Sequence, residues 1–220
     1  MIFLSYLLDQ KTPSYGDRNT FEITKKSDML NGDIANDSFI STTVHIGTHI
    51  DMPYHFYNDG QTIEDFDADF WIFNKPLLIS IEPQSLLIKN ELIERLDTLA
   101  DEGFDLLIVR TGICDIRDEQ RYWSENYGFH PDIYDYIVRK FPSVRVFGFD
   151  SISVSGITDR LTGREAHKRF LNPKKPILLL EDMDLRDFDK ISAIKKIIVA
   201  PLRISQCDGL PCTIFGLFND

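Results

Sequence analysis

The chain has 220 residues, of which 43% are hydrophobic, and its formal net charge at pH 7 is −11. This length is enough to bury a sizeable core, and the acidic balance argues against a nucleic-acid partner, because phosphate binding draws on basic patches. No apolar run approaches the length of a membrane span. Three cysteines without a CxxC pair fit a reducing compartment. We therefore expect one cytoplasmic domain over residues 1–220, with neither a nucleic-acid nor a membrane partner.

Two segments near the N-terminus have the patterns of strands. Residues 1–8 form a short apolar run that lacks the basic start of a signal peptide, so we interpret the run as the first strand. Side chains over residues 40–46 alternate at period two, with Ile40 and Ile46 on one face and His45 on the other. This second pattern predicts a strand that carries His45 on its polar face.

The segment HIGTHIDMPYH, residues 45–55, contains three of the five histidines of the chain and one carboxylate. Imidazole nitrogen and carboxylate oxygen are ligands that suit zinc and manganese, and the segment has no thiolate of the kind that structural zinc sites use. The segment therefore predicts a catalytic metal site.

The backbone of this segment has to curl if its histidines share one ion. Gly47 and Pro53 disfavour a helix. A fully extended chain would separate His45 from His49 by about 13 Å, whereas ligands of one ion lie within roughly 4 Å of each other. Gly47 permits the curl because it has no Cβ. Pro53 then restrains the residue before it to an extended conformation and presents His55 on a loop.

Aromatic residues follow the segment and invite two interpretations. Phe56 comes directly after His55, and residues 64–73 mix four aromatic with four acidic side chains, Trp71 among them. Such aromatics could cover an apolar substrate, in which case Phe56 and Trp71 are substrate-binding residues, or they could pack against a neighbouring subunit. We favour the subunit interface for residues 64–73.

The remainder of the chain alternates short apolar runs with helical patterns. Apolar runs typical of buried strands cover residues 76–81, 105–110, 144–149, 176–180 and 197–200. Apolar stripes at helical spacing cover residues 86–99 and 131–141. This alternation predicts an α/β or α+β domain.

Two residues in the second half have ordinary structural interpretations when taken alone. His167 lies near the end of a short amphipathic helical pattern, where a histidine is favoured by the helix dipole. Glu181 follows the apolar run 176–180, and an acidic residue after a buried strand is common in turns.

The sequence as a whole resembles the metal-dependent cyclase-like hydrolases, which include bacterial kynurenine formamidases and isatin hydrolases. Residues 45–55 match every fixed position of the HxGTHxDxPxH signature of that family. Further agreement comes from Arg110–Gly112, Gly148–Ser153, Leu180–Glu181 and Asp208–Pro211. The resemblance implies the swivelling β/β/α fold, with a mixed, barrel-like sheet and flanking helices.

The resemblance also implies a set of site residues. The metal ligands would be His45, His49, Asp51, His167 and Glu181. They would hold one or two divalent ions, Zn2+ or Mn2+, in a homodimer or homotetramer. A further residue, His55, would be the catalytic acid or base, a role that suits an imidazole with an unperturbed pKa of about 6.5.

The function that follows is hydrolysis of a carbon–nitrogen bond in a small molecule. An activated water would attack an amide, formamide or lactam, as in an arylformamidase. The alternative is a non-catalytic, metal-dependent protein of the same fold that binds a small ligand. No nucleotide-binding motif is present, and Thr213 stands where the family leads us to expect an arginine. We find no carboxylate-binding arginine motif in the sequence.

Overall fold

A computed structural model describes residues 1–18 and 20–218 of the chain. The strands of this part are β1 (Ile2–Phe3), β2 (Phe21–Ser27), β3 (Asp37–Thr42), β4 (His49–Asp51), β5 (Ile72–Phe73), β6 (Pro76–Ser80), β7 (Leu87–Ile88), β8 (Leu106–Arg110), β9 (Gly128–Phe129), β10 (Val146–Phe149), β11 (Leu178–Glu181), β12 (Lys196–Pro201) and β13 (Gly209–Leu217). The α-helices are α1 (Asn90–Asp97), α2 (Arg121–Ser124), α3 (Asp132–Lys140), α4 (Arg160–Phe170) and α5 (Phe188–Ile191). Short 3-10 turns cover Met29–Asn31, Pro53–His55, Ile63–Asp65, Ala68–Trp71 and Ile113–Ile116.

One mixed sheet of nine strands organises the domain. Its order is β5-β12-β13-β4-β11-β10-β8-β6, and β1 pairs with β13. The strands β6, β8, β10 and β11 run parallel to their neighbours in that group, whereas the pairs that involve β4, β12 and β13 are antiparallel. The long strand β13 joins the two halves, because its start pairs with β4 and its remainder pairs with β12.

The apolar side chains of the sheet fill two cores. Leu107 and Val109 of β8 point into a core that α1, α3 and α4 cover, whereas Leu106 and Ile108 point into a second core. This division follows from the alternation of side chains along a strand. The second core also receives Ile214 and other residues of β12 and β13, so both halves of the sheet curl around it. The prediction of an α/β fold with a barrel-like sheet and flanking helices is confirmed.

The helical patterns are confirmed, with shorter bounds than expected. The stripe over residues 131–141 forms α3, which has acidic residues in its first turn and basic residues in its last turn, as the helix dipole favours. The stripe over residues 86–99 forms α1 only from Asn90, because Leu87 and Ile88 pair with β9 instead.

The strand predictions near the N-terminus were wrong in their extent. The first strand covers only Ile2–Phe3, and the strand that was expected to carry His45 ends at Thr42. β3 pairs with β2 in a hairpin whose side chains are mostly exposed, so its period-two pattern does not mark a buried face. The buried strand β4, which the sequence did not predict, comes after the curl at Gly47.

The prediction of a single domain over residues 1–220 stays a prediction, and its range includes residues 19, 219 and 220, which lie outside the described part. Within residues 1–18 and 20–218, no helix combines the length and the apolar character needed to cross a membrane.

Candidate metal centre and active site

Strand β4 brings two candidate ligands to one face of the sheet. His49 and Asp51 are two residues apart, so their side chains lie on the same side of the strand. Glu181, the last residue of β11, is the direct cross-strand partner of His49. All three side chains are buried. Pairing between strands distant in sequence therefore assembles this half of the site.

His167 reaches the same point from the last turn of α4. Its Nε2 lies 3.4 Å from Oδ2 of Asp51 and 3.8 Å from Oε1 of Glu181. Its Nδ1 lies 3.0 Å from the carbonyl oxygen of Gly163, which is one helical turn earlier. Because a carbonyl only accepts, Nδ1 carries the proton and the Nε2 lone pair faces the two carboxylates.

His49 is oriented in the same manner. Its Nδ1–H donates to the carbonyl oxygen of Gly47 over 2.8 Å. Its Nε2 lies 3.4 Å from Oδ1 of Asp51 and 3.5 Å from Oε2 of Glu181. Gly47 has a φ of 58°, so the predicted curl at this glycine is confirmed. We call His49, Asp51, His167 and Glu181 the inner cluster.

The inner cluster fits a divalent cation. Two imidazole lone pairs face two carboxylates at distances longer than good hydrogen bonds, and ligands of one ion keep such separations. Oδ2 of Asp51 is buried without a hydrogen-bond partner. A backbone carbonyl that fixes the second nitrogen of a histidine is typical of metal ligands.

Without an ion, the pKa values of the two carboxyl groups in the inner cluster are shifted in opposite directions. Burial and the neighbouring charge of Asp51 raise the pKa of Glu181. Burial also acts to raise the pKa of Asp51, but the charge of His45 outweighs it and holds that pKa well below its usual range. Two buried carboxylates that ionise unequally are a setting in which a cation can replace a proton.

A second group lies beside the inner cluster and nearer to solvent. Oδ2 of Asp208 lies 2.9 Å from Nε2 of His45 and 3.0 Å from Nδ1 of His55. Nδ1 of His45 lies 2.9 Å from Oδ1 of Asp51, which links the two groups. We call His45, His55 and Asp208 the outer triad.

Local backbone features form the outer triad. His55 ends a 3-10 turn that begins at Pro53, and Met52 before this turn is extended, as the sequence predicted. Gly209 lets the His45 ring approach closely, because a Cβ at that position would lie 2.5 Å from the ring. Asp208 immediately precedes Gly209, whose Cα is paired with that of Asp51 across the two strands.

Neighbouring charges and hydrogen bonds shift the pKa values of His45 and Asp208 in the outer triad. Burial acts to lower the pKa of His45, but Asp51 and Asp208 outweigh it and raise that pKa to about 10. Hydrogen bonds from His45 and His55 hold the pKa of Asp208 well below its usual range. Without an ion, His45 is therefore an imidazolium between the carboxylates of Asp51 and Asp208.

A cavity of about 390 Å³ opens onto both groups. Phe56 lines it, and its ring stacks on the His167 ring with a centroid separation of 4.8 Å. Trp71 is not among the lining residues: it is 7% exposed and packs against Phe66 and Phe70 in the second core.

The segment 64–73 has one exposed face and one buried face. Its 3-10 turns point Glu64 and Asp69 outward, whereas Phe66, Trp71 and Phe73 point into the second core. The mixture of acids and aromatics therefore reflects a surface segment with one buried face. Trp71 therefore lies away from the lining of the cavity, whereas the role of the segment at a subunit interface stays a prediction.

A matching family model supplies the identity that geometry alone does not give. The model described as "Cyclase: Putative cyclase" matches residues 2–155. The chain belongs to the cyclase family.

Similar proteins cover nearly the whole chain. A kynurenine formamidase of Geobacillus thermodenitrificans is 24% identical over 219 residues, which span 96% of this chain and 93% of the relative. A kynurenine formamidase of Bacillus cereus is 28% identical over 173 residues, which span 78% of this chain and 75% of the relative. The structure of isatin hydrolase A from Labrenzia aggregata has a TM-score of 0.80 at 18% identity, and the match covers 99% of this chain and 93% of that one.

The sequence analysis missed two features of the site: the role of Asp208 and a buried ion pair next to Glu181. The block that begins at Asp208 was noted only as a resemblance, and its proximity to the histidines depends on the pairing of β13 with β4. Asp182, next to Glu181, is buried and accepts two hydrogen bonds from Arg117 and one from Tyr122. No local pattern in the sequence indicates this buried ion pair.

Proposed function

We propose that the protein is a metal-dependent hydrolase that cleaves the carbon–nitrogen bond of a small amide, formamide or lactam. The observation that carries this proposal is the inner cluster, in which two oriented imidazole lone pairs and two buried carboxylates converge at one cavity. Its relatives support the same reaction class, since they are named kynurenine formamidase and isatin hydrolase.

The four residues of the inner cluster, together with His45, would hold the metal. This donor set suits Zn2+ or Mn2+. Two groups of donors share Asp51: one contains His49 and Glu181, and the other contains His45 and His55. Because Asp51 belongs to both groups, these residues would be able to hold one or two ions. When bound, a divalent ion lowers the pKa of a bound water toward about 7 and polarises a substrate carbonyl.

His55 is the proposed acid and base. Asp208 accepts a hydrogen bond from Nδ1–H of His55, which leaves the Nε2 lone pair available to take a proton from the attacking water. The same Nε2 then delivers that proton to the leaving nitrogen. Asp208 stays ionised because its pKa is held low, so it orients the ring and stabilises the imidazolium.

The binding-protein alternative is not favoured. A protein that only anchors a ligand through a metal has no need of an imidazole held outside the inner cluster by its own carboxylate. His55 has such a position, with a side chain that is 28% exposed. Relatives that are named as enzymes agree with catalysis.

Hydrolysis assays on purified protein test the proposed function. The metal-free protein is reconstituted with zinc, with manganese or with no metal, and each form is assayed on a panel of formamides, lactams and cyclic imides. We expect turnover of at least one class in a metal-loaded form and none in the metal-free form. Silence across the panel with metal bound in stoichiometric amount would overturn the proposal.

Two further features of this proposed enzyme remain predictions. We expect a homodimer or homotetramer, supported by the β2–β3 hairpin, which exposes Ile23, Phe39 and Ile40. Light scattering on protein that elutes from a size-exclusion column measures the oligomeric state, and a monomer would contradict the prediction. A cytoplasmic location is supported by three cysteines that are all unpaired.

A further inference from the structure

The cavity is lined by positively charged side chains. Arg18, Arg160 and Arg164 all line it, although the chain carries a net charge of −11. In the described part of the chain, none of the three forms an ion pair with an acidic side chain. Three guanidinium groups that line the cavity therefore have no carboxylate partner among residues 1–18 and 20–218.

Two of these arginines are placed by the same helix that carries a proposed metal ligand. Arg160, Arg164 and His167 of α4 are spaced by four and three residues, so they share one face of the helix. At 1.5 Å per residue, Arg164 lies about 4.5 Å and Arg160 about 10 Å before His167 along the axis. Arg169 lies elsewhere on α4, where it pairs with Asp135 and Glu165.

Arg18 lines the cavity from a segment that is far from α4 in sequence. A Cβ at Gly16 would lie 3.5 Å from the Arg18 side chain and 3.4 Å from that of Ile157, which comes just before α4. The Tyr15 hydroxyl donates to the carbonyl oxygen of Gly156 over 3.4 Å. Burial raises the pKa of this hydroxyl, and the charges of Arg160 and Arg18 act against that rise. Both guanidinium groups are therefore near Tyr15.

We propose that Arg18, Arg160 and Arg164 form an anion subsite that binds a carboxylate of the substrate. A guanidinium group matches a carboxylate with two parallel hydrogen bonds, so the subsite selects a planar carboxylate at one end of the substrate while the amide lies at the inner cluster. The substrate class is an amide or formamide that carries a carboxylate roughly 5 to 10 Å from its scissile bond, which is the length of one to two helical turns. This inference rests on the proposed function, and it adds a specificity that the cavity near the inner cluster does not provide.

Matched probes separate the subsite from the chemistry. Formanilide is a neutral formamide, and 2-, 3- and 4-formamidobenzoate add a carboxylate at increasing distance. For the metal-loaded wild type, we expect kcat/KM to be at least about tenfold higher for one formamidobenzoate than for formanilide. In the double variant Arg160→Gln/Arg164→Gln, we expect this ratio to fall about ten- to hundredfold, as for the loss of hydrogen bonds to a charged group.

Three further variants control for changes in folding and in overall charge. Arg18→Gln should lower the ratio from a different element of the structure, whereas Arg164→Lys should retain part of it because the charge remains. Arg169→Gln removes one positive charge from α4 on the face that does not line the cavity, and it should leave the ratio unchanged. Circular dichroism verifies that each variant is folded.

The outcomes distinguish failure of the subsite from failure of the function. If wild type hydrolyses the probes without preference, or if the double variant keeps the preference because the carboxylate binds the metal, the subsite is overturned and the hydrolase stands. If no probe is hydrolysed, the proposed function fails, and calorimetry with benzoate and benzamide tests the subsite alone. Benzoate binding that is lost in the double variant then supports it, and binding that is absent or unaltered overturns it.

Discussion

The inner cluster and the outer triad share one cavity but are constructed differently. The inner residues lie on β4, β11 and α4, are buried, and have both histidines fixed through Nδ1 by backbone carbonyls. The outer residues lie on loops and on a 3-10 turn, and the side chains of His55 and Asp208 are 28% and 41% exposed. In the outer triad it is a side-chain carboxylate that orients His55.

This difference corresponds to two chemical tasks. A metal ion needs ligands held in fixed geometry, and side chains on packed strands and helices provide it better than loops do. An acid or base that exchanges protons with water and substrate needs access and a charged partner that stays ionised. The comparison therefore assigns ion binding to the inner cluster together with His45, and proton transfer to His55 with Asp208. Variants can test each assignment separately.

The largest effect is expected from Asp51→Asn. Asp51 contacts both histidines of the inner cluster and links that cluster to His45, so the loss of its charge removes the proposed shared ligand. We expect metal content to fall below half of the wild-type value and kcat/KM to fall roughly a thousandfold, about 4 kcal/mol of transition-state stabilisation. Elemental analysis and steady-state kinetics measure both. The exposed Asp69→Asn variant is the control, and full metal content in Asp51→Asn would remove the inner cluster from metal binding.

His55→Asn should separate the two groups. We expect kcat to fall about a hundredfold, within the range for loss of a general acid or base, while metal content stays at the wild-type value. His130 offers a matched control, since its side chain is also 28% exposed and also faces an aspartate, 3.5 Å away. His130→Asn should retain activity. If His55→Asn lost the metal instead, His55 would be a ligand, and the division between the two groups would be wrong.

The sequence did not predict which of the two groups His45 and His49 would each join. The segment alone indicated a metal site and a curl at Gly47, because residue type and the missing Cβ are local properties. It did not indicate that two histidines four residues apart would enter different groups. That outcome depends on β4 being inserted between β11 and β13, and such pairing is determined by contacts across more than a hundred residues.

The same distinction between local sequence patterns and contacts made in the assembled fold applies to the other predicted residues. His167 and Glu181 were expected only through family resemblance, because a helix end and a strand end are compatible with many roles. Trp71 was expected at the substrate because of its residue type, but the 3-10 turns around it determine which side is buried. Residue type and period are therefore sufficient for the helices α1, α3 and α4 and for the strands β6, β8, β10, β11 and β12. Cross-strand partners such as Asp208 require the assembled sheet.

In the metal-free protein, the free energy of unfolding should decrease as pH rises. The folded-state pKa of His45, about 10, exceeds its usual value near 6.5, so the imidazolium stabilises the folded metal-free protein fully below about pH 6.5. This contribution is lost as pH rises through 10. Glu181 acts in the same direction, because its pKa is also raised. We expect the free energy of unfolding to drop by a few kcal/mol at most between these limits.

Thermal melts with a chelator between pH 6.5 and 9.5 measure this dependence. The matched variant His45→Gln should have a flatter profile, which isolates His45 from lysines and tyrosines that titrate at higher pH. Wild-type protein loaded with metal should also have a flatter profile, because bound ligands do not carry the proton. A melting temperature that increases from pH 6.5 to 9.5 in the metal-free wild type would contradict the charge arrangement of the outer triad.

The smallest effect is expected at the apolar wall that both groups share. Phe56 stacks on His167 and lines the cavity, so Phe56→Leu should raise KM about three- to tenfold through lost aromatic contact, with a small change in kcat. Trp71→Leu is the matched comparison, because Trp71 is buried in the second core away from the cavity. It should lower stability by about 2–4 kcal/mol and leave KM unaltered. If both variants raised KM equally, the boundary of the substrate cavity would have to include the second core.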